Sequence, residues 1–258
     1  MSNQLMNKLG CARHAAAAMA LAALAGCAGA PLATGSIAGS PWADQSGLRP
    51  GQRVHEWAHQ SFPGKVPTQF AYARNEGRDT VAVRSNASAS MLRQVVRIEP
   101  GELGKVRFSW KVPALIEQAD LATRESDDAP VRVVLAFEGD RSRFSMKDAA
   151  LSELALALTG EPMPYATLMY VWCNQRAPGT VIRSPRTDRI RKLVVESGGK
   201  RLNQWLDYER DIRADYERVF GEQPGALVGI AIMTDSDNTH SQTRAWYGPI
   251  RFQPVAAR

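Results

Sequence analysis

Apolar and polar positions alternate without a break through Val106-Arg107-Phe108-Ser109-Trp110-Lys111-Val112, the period of a strand with one face packed and the other in water. The same period, in short segments separated by turn residues, predicts further strands at Phe70–Arg74, Thr80–Arg84, Leu92–Ile98, Val131–Glu138, Thr167–Cys173, Ile190–Glu196, Val228–Thr234 and Arg244–Phe252. Leu168 to Cys173 and Val228 to Met233 are apolar on both faces, as suits central strands covered on two sides. Helical spacing replaces the two-residue period twice. Ser145 offers a cap, Asp148 completes a capping box, Leu151, Leu154 and Leu158 form one stripe, and Gly160 stops the helix. A second helix is predicted over about Asn203 to Phe220, with Trp205, Tyr208, Ile212, Tyr216 and Val219 on one side. Many short strands and two packed helices make the expected fold mainly β, an antiparallel β-sandwich with the helices as lids.

Ahead of this body the pattern changes. Lys8 and Arg13 precede an apolar run from Ala15 to Ala25, and Leu24-Ala25-Gly26-Cys27 ends it, the layout of a lipoprotein signal in which Cys27 is acylated and becomes the first mature residue. The run is too short to span a bilayer, so the lipid alone is expected to hold the protein to the membrane. Residues 1–26 are then the signal peptide, 27–53 a flexible tether rich in Gly, Ala, Ser and Pro, and 54–258 a single domain, within the size that one core fills. Ala28, where an Asp would hold the protein back, favours the periplasmic face of the outer membrane.

The formal charge of +6 falls once Lys8 and Arg13 leave with the leader, and a mild excess on an exported protein argues against nucleic acid and for anionic envelope components. Of three cysteines only Cys173 stays in the domain, a buried thiol beside Met169 and Val171 on its strand face, so no internal disulfide is expected.

His55-Glu56-Trp57-Ala58-His59 matches the zinc-hydrolase pattern of two imidazoles one helical turn apart with a Glu between them. The mechanism needs a helix, which Pro50-Gly51 and Pro63-Gly64 confine to about three turns, and a third ligand; Gln60-Ser61-Phe62 lacks the Gly and His that would continue the pattern, and no spacing selects Glu76 or Glu99 in their place. Thr234-Asp235-Ser236-Asp237-Asn238-Thr239 places Asp235, Asp237 and Asn238 after a buried strand, a candidate cage for a structural calcium ion and equally a turn held by Asp and Asn. No other cofactor is expected. Sugars are held by aromatic faces, and here Trp110 and Trp246 share apolar strand faces, whereas Tyr170, Trp172 and Tyr247 are the candidates for a stacking surface. Arg183, Arg186, Arg189, Arg191 and Lys192 crowd one segment that suits phosphate or carboxylate.

Phe62-Pro63-Gly64-Lys65, Ser109-Trp110-Lys111, Asp127-Asp128 with Arg132, Tyr165 to Trp172, Thr187-Asp188-Arg189, Ile232 to Thr239 and Ala245-Trp246-Tyr247-Gly248 together resemble the bacterial family called domain of unknown function 3047. The resemblance implies an exported jelly-roll sandwich similar to galactose-binding-like modules, and brings no activity. Its matched polar positions are Asp128, Arg132, Asn174, Asp188, Arg189, Asp235, Asp237 and Asn238, near strand ends where loops of a sandwich meet. The expected function is a lipid-tethered, non-catalytic binding module for glycan or another anionic envelope component. The alternative is a metal-dependent hydrolase using the His55 to His59 segment or a carboxylate pair among Asp128, Asp188, Asp235 and Asp237. Oligomeric state is left open by the sequence.

Overall fold

The computed structural model describes residues 36–47 and 57–255; the leader, Cys27, His55 and Glu56 lie outside them. In chain order the elements are α1 (Pro41–Gln45), β1 (Ala58–Ser61), β2 (Gln69–Asn75), β3 (Arg78–Asn86), β4 (Ala89–Ile98), β5 (Lys105–Lys111), β6 (Ala129–Phe137), α2 (Met146–Thr159), β7 (Ala166–Cys173), β8 (Val181–Arg183), β9 (Ile190–Ser197), β10 (Trp205–Asp211), α3 (Ile212–Phe220), β11 (Leu227–Asp235), β12 (Gln242–Tyr247) and β13 (Arg251–Gln253). They form a seven-stranded sheet ordered β1-β4-β11-β6-β7-β9-β8 and a second sheet ordered β10-β5-β12-β3-β2, with β13 also paired to β5. Every pairing is antiparallel except β7 with β9.

The two sheets pack face to face because strand alternation turns one apolar row of each inward. Val81, Val83, Val106, Phe108 and Trp110 from one sheet meet Val133, Leu135, Leu168, Tyr170, Leu193, Ile230 and Ile232 from the other in one buried cluster. Burial of this kind contributes about 25 cal/mol per Å² of apolar surface and is the main stabilising term. The two-sheet, mainly β architecture expected from the sequence is the one observed, and β7 and β11 lie inside the sheet as their pattern requires.

Four details differ from the reading of the sequence. Residues 36–47, within the expected tether, are ordered against the body: Trp42 is 0% exposed and packs 4.9 Å from the Trp57 ring, and the Ser46 hydroxyl accepts from the Ile250 amide at 3.1 Å. One large aromatic, overlooked among small residues, is enough to anchor the segment. The expected Asn203–Phe220 helix is two elements. Trp205 to Asp211 is a strand paired with all of β5, and only from Ile212, capped by the Asp211 carboxylate, does the chain turn helical. The expected strand Arg244–Phe252 breaks at Gly248, where a side-chain carbon would collide with Ser109, into β12 and β13. Helix α2 begins after Ser145 and ends at left-handed Gly160 as its caps predict, yet its leucine stripe faces outward, because the buried positions are Asp148 and Ser152.

Candidate functional site

The sequence candidates divide into three groups. The first comes together at one end of the seven-stranded sheet, beneath the loop between β5 and β6. Arg132 on β6 is buried and gives a two-pronged contact to Asp235 on β11, at 2.8 and 2.9 Å, and a further bond to Asp127 at 3.1 Å. Lys192 on β9, equally buried, donates to Asp127 at 2.6 Å and to the Leu121 carbonyl at 2.7 Å. Asp128 accepts from the Asn238 and Thr239 amides at 3.2 and 2.7 Å and from the Thr239 hydroxyl at 2.6 Å. Asp237 is paired with Lys65, and the Asn238 side chain donates to the Asp127 carbonyl at 3.0 Å.

Carboxylate oxygens of Asp128, Asp235 and Asp237 lie within 4.8 Å of one another, the spacing expected of a calcium cage. The donor set does not suit a cation. Each of those carboxylates already accepts hydrogen bonds from protein groups, and two of them already carry a cationic partner, Arg132 on Asp235 and Lys65 on Asp237. Burial pushes the Asp235 carboxyl up to about 7 against the pull of Arg132. Burial and the neighbouring Arg132 bring the Lys192 ammonium down to about 8. Asp127 is held below the usual carboxylate range: burial works to raise it, but Arg132 and Lys192 together prevail. This is a polar knot that fixes a loop. Asp127 joins Asp128 there, as their place ahead of β6 allowed, whereas Lys65 and Lys192 were not singled out as members by the sequence, since a distant loop and strand supply them.

The second group is inside. Tyr170 is buried and its hydroxyl donates to Asp215 at 2.9 Å, Trp172 donates to the Gly198 carbonyl at 3.0 Å, and the Tyr247 hydroxyl donates to the Met233 carbonyl at 2.6 Å. None of the three rings is open to a ligand. The third group is dispersed. Asn174 pins the β5–β6 loop through the Ile116 and Ala119 carbonyls at 2.7 and 3.1 Å. Asp188 is exposed, and Arg189 pairs with Glu222 at 2.5 Å while lying 4.1 Å over the Tyr165 ring. His59 sits on strand β1, with Nε2 2.8 Å from the Ser90 hydroxyl, so the only described residue of the histidine pair is not on a helix.

A different surface was missed. On β10, β5 and β12 the register sets Trp205 opposite Lys111 and Lys111 opposite Trp246, one row across three adjacent strands. All three lie on the side of the second sheet away from the core, because their strand neighbours Leu206, Trp110 and Tyr247 are buried inside, but Lys111 is only 8% exposed. Both indoles are half-buried and stand two strand spacings apart, about 10 Å. The Arg78 guanidinium lies 5.0 Å over the Trp205 ring while bonding Asp207 at 2.8 Å, and Arg244 lies 5.7 Å over Trp246. Trp205 donates to Asn75 at 3.2 Å and Lys111 pairs with Glu76, tying the row to the β2–β3 hairpin. Glu76 and Gly77 both have positive φ, 50° and 79°, the turn that matches the twist of two strands and lets the hairpin tip curl over β5. Beyond the end of β12 this leaves a cleft of about 1060 Å³ lined by Arg78, Asp79, Arg107, Asp207, Glu209 and Arg251. Helical spacing had drawn Trp205 into a helix, and the apolar neighbours Ile250 and Phe252 had drawn Trp246 into the core, although a break in the strand reverses their faces.

The chain matches the family described as Protein of unknown function (DUF3047) over residues 55–251. No curated protein matches it. Among solved structures it is similar to the xyloglucanase domain of NopAA, a type three effector from Sinorhizobium fredii in complex with cellobiose, at 10% identity and a TM-score of 0.41, covering 77% of this chain and 93% of that one. What that domain acts on says nothing of this chain at such a distance. The match across most of its length means that the chain belongs to the DUF3047 family.

Proposed function

We propose that this DUF3047 member is a non-catalytic glycan-binding module, tethered to the envelope through a lipid on Cys27, that lays a polysaccharide chain across the Trp205-Lys111-Trp246 row. The observation that carries the reading is the pair of half-exposed indoles fixed in one register on the outer side of the second sheet, with Lys111 between them covered by the β2–β3 turn. The apolar face of a pyranose stacks on such a ring, while neighbouring donors bind its hydroxyls. Asp207 stands beside the row on one flank and Arg84 and Arg244 on the other, so hydroxyls and acidic sugar substituents both meet complementary groups. The cleft continues the same face for a longer chain.

The carboxylates there do not favour hydrolysis. A general acid needs its carboxyl raised, whereas Asp79 is lowered by its bond from Tyr72 and Glu209 by bonds from Lys105 and Arg107. Asp235 is raised, but it is buried and paired with Arg132.

Retention of the protein on envelope polysaccharides and on a glycan array tests the proposal. Wild type is expected to be retained, and the double variant Trp205→Ala/Trp246→Ala to pass through while keeping its circular dichroism spectrum. Retention by neither protein, or equally by both, removes the reading.

A further inference from the structure

Helix α2 is built inside out. It is held to the body by polar side chains: Asp148 accepts from the Ser145 hydroxyl at 2.7 Å and from Thr187, and Ser152 accepts from Arg141 at 2.9 Å. Its large apolar residues point to solvent, with Met146 93%, Leu154 54%, Leu156 43% and Leu158 60% exposed. A surface helix ordinarily does the reverse. Beside it, on the outer face of the seven-stranded sheet, runs an apolar groove of about 320 Å³ lined by Met91, Val134, Ala155, Met163, Met169 and Met233. Exposed apolar surface this continuous marks an interaction site.

The surroundings of the helix indicate what covers it. Lys147 heads the stripe that continues through Leu151, Leu154 and Leu158, spaced four, three and four residues apart. The Thr187 to Asp148 bond brings the loop after β8 against the first turn, with Arg183 and Arg186 exposed beside it, and Arg141 and Arg143 are exposed just before the helix. Arg191 close by is held below its ordinary value by burial and by Arg183 and Arg189, a sign of crowded positive charge. Exposed acids among these groups are Asp140, Glu153 and Asp188; Arg143 is paired with Glu222 at 3.1 Å, and Glu161, at the far end, with Arg93 at 2.7 Å.

We propose that α2 and its basic margin dock on the surface of a bilayer containing anionic phospholipid, the leucines entering the acyl boundary while Lys147, Arg183 and Arg186 meet phosphates. Aliphatic side chains without aromatic anchors, rimmed by cations, suit a lipid interface better than a protein pocket. This contact is separate from the lipid expected on Cys27. It lies on the sheet opposite the tryptophan row and does not depend on what that row binds.

Sedimentation of the full chain with vesicles of phosphatidylcholine, with and without phosphatidylglycerol, tests it. Leu154→Glu/Leu158→Glu is expected to lower the bound fraction about tenfold, and Arg183→Glu/Arg186→Glu to bring binding to anionic vesicles down to the level seen with neutral ones. The leader contributes equally to all these proteins, so the difference reports α2. A spin label on Leu158→Cys, in a chain carrying Cys11→Ser and Cys27→Ser, is expected to become shielded from water-soluble quencher on vesicle binding. Unchanged binding by both double variants overturns the proposal, as does a label that stays in water on bound vesicles or is shielded without vesicles by self-association.

Discussion

The two outward faces of the sandwich follow the same alternation and present opposite chemistry. On the second sheet, β5, β10 and β12 send out Lys105, Arg107, Asp207, Glu209, Arg244 and the two indoles, with Ser109 and Lys111 on the same side but covered. On the seven-stranded sheet the same parity sends out Met91, Val134, Ala136, Met169, Ala231 and Met233. One face is wet and ready for hydroxyls. The other is apolar enough to need cover, which the β5–β6 loop and its ion knot provide at one end and which α2 provides thinly at the other. An outward row of polar residues says that water is the neighbour; an outward row of methionines says that something else is.

The ion knot tests that contrast most severely, because it is the polar part of an otherwise apolar face. Arg132→Met strips buried Asp235 of its cation and half-buried Asp127 of one of two, and is expected to destabilise the protein by about 3–5 kcal/mol in chemical denaturation. Glycan retention and vesicle binding should then fail together at the temperature where the fold fails. A loss under about 1 kcal/mol means that the loop is held by Leu121, Val171 and Val194 packing and not by charge.

The knot also has a pH signature. A carboxyl whose folded value is raised by burial to about 7 favours the folded state fully below its unfolded value, and that contribution disappears as pH climbs through the folded value. Stability from Asp235 therefore declines between about pH 4 and pH 7, with a slope no steeper than about 1.4 kcal/mol per pH unit. Lys192 works at the other side: its folded value is depressed to about 8, so its contribution is present above the ordinary lysine range and fades as pH falls toward 8. Denaturation at stepped pH compares wild type with Asp235→Asn, which should lack the decline between pH 4 and 7. Parallel curves would falsify the assignment.

On the wet face the expected loss is smaller and local. Trp205→Ala alone should weaken polysaccharide retention about tenfold, roughly 1.4 kcal/mol, and leave vesicle binding unchanged. Loss of both would mean that the faces are coupled through the core.

Much of this fold was legible because strand period and burial coincide: each of the nine expected strands overlaps an observed one, and Ser145 and Gly160 bound α2 as capping rules require. The knot was half legible, since Asp128, Arg132, Asp235, Asp237 and Asn238 were all named, but their partners Lys192 and Lys65 come from strand β9 and a loop that only the sheet order brings near. The tryptophan row was not legible. Trp205 and Tyr208 fit helical spacing as well as they fit a strand, and the face of Trp246 depends on its register with β5 and β3, which no local pattern fixes.

The apolar face carries the smallest and most discriminating effect. Were α2 an ordinary packed helix, replacing its leucines would open cavities and cost about 2–5 kcal/mol each. Leu154 and Leu158 instead stand 54% and 60% exposed, and the helix is anchored by Asp148 and Ser152, so Leu154→Gln and Leu158→Gln should each change unfolding stability by no more than about 0.5 kcal/mol. Ser152→Leu, by contrast, inserts bulk where Arg141 now donates and should lower stability measurably. A helix whose polar residues support the fold and whose apolar residues do not leaves those leucines free for a partner outside the chain, and the two glutamine variants, read by thermal melting, decide whether that inversion is real.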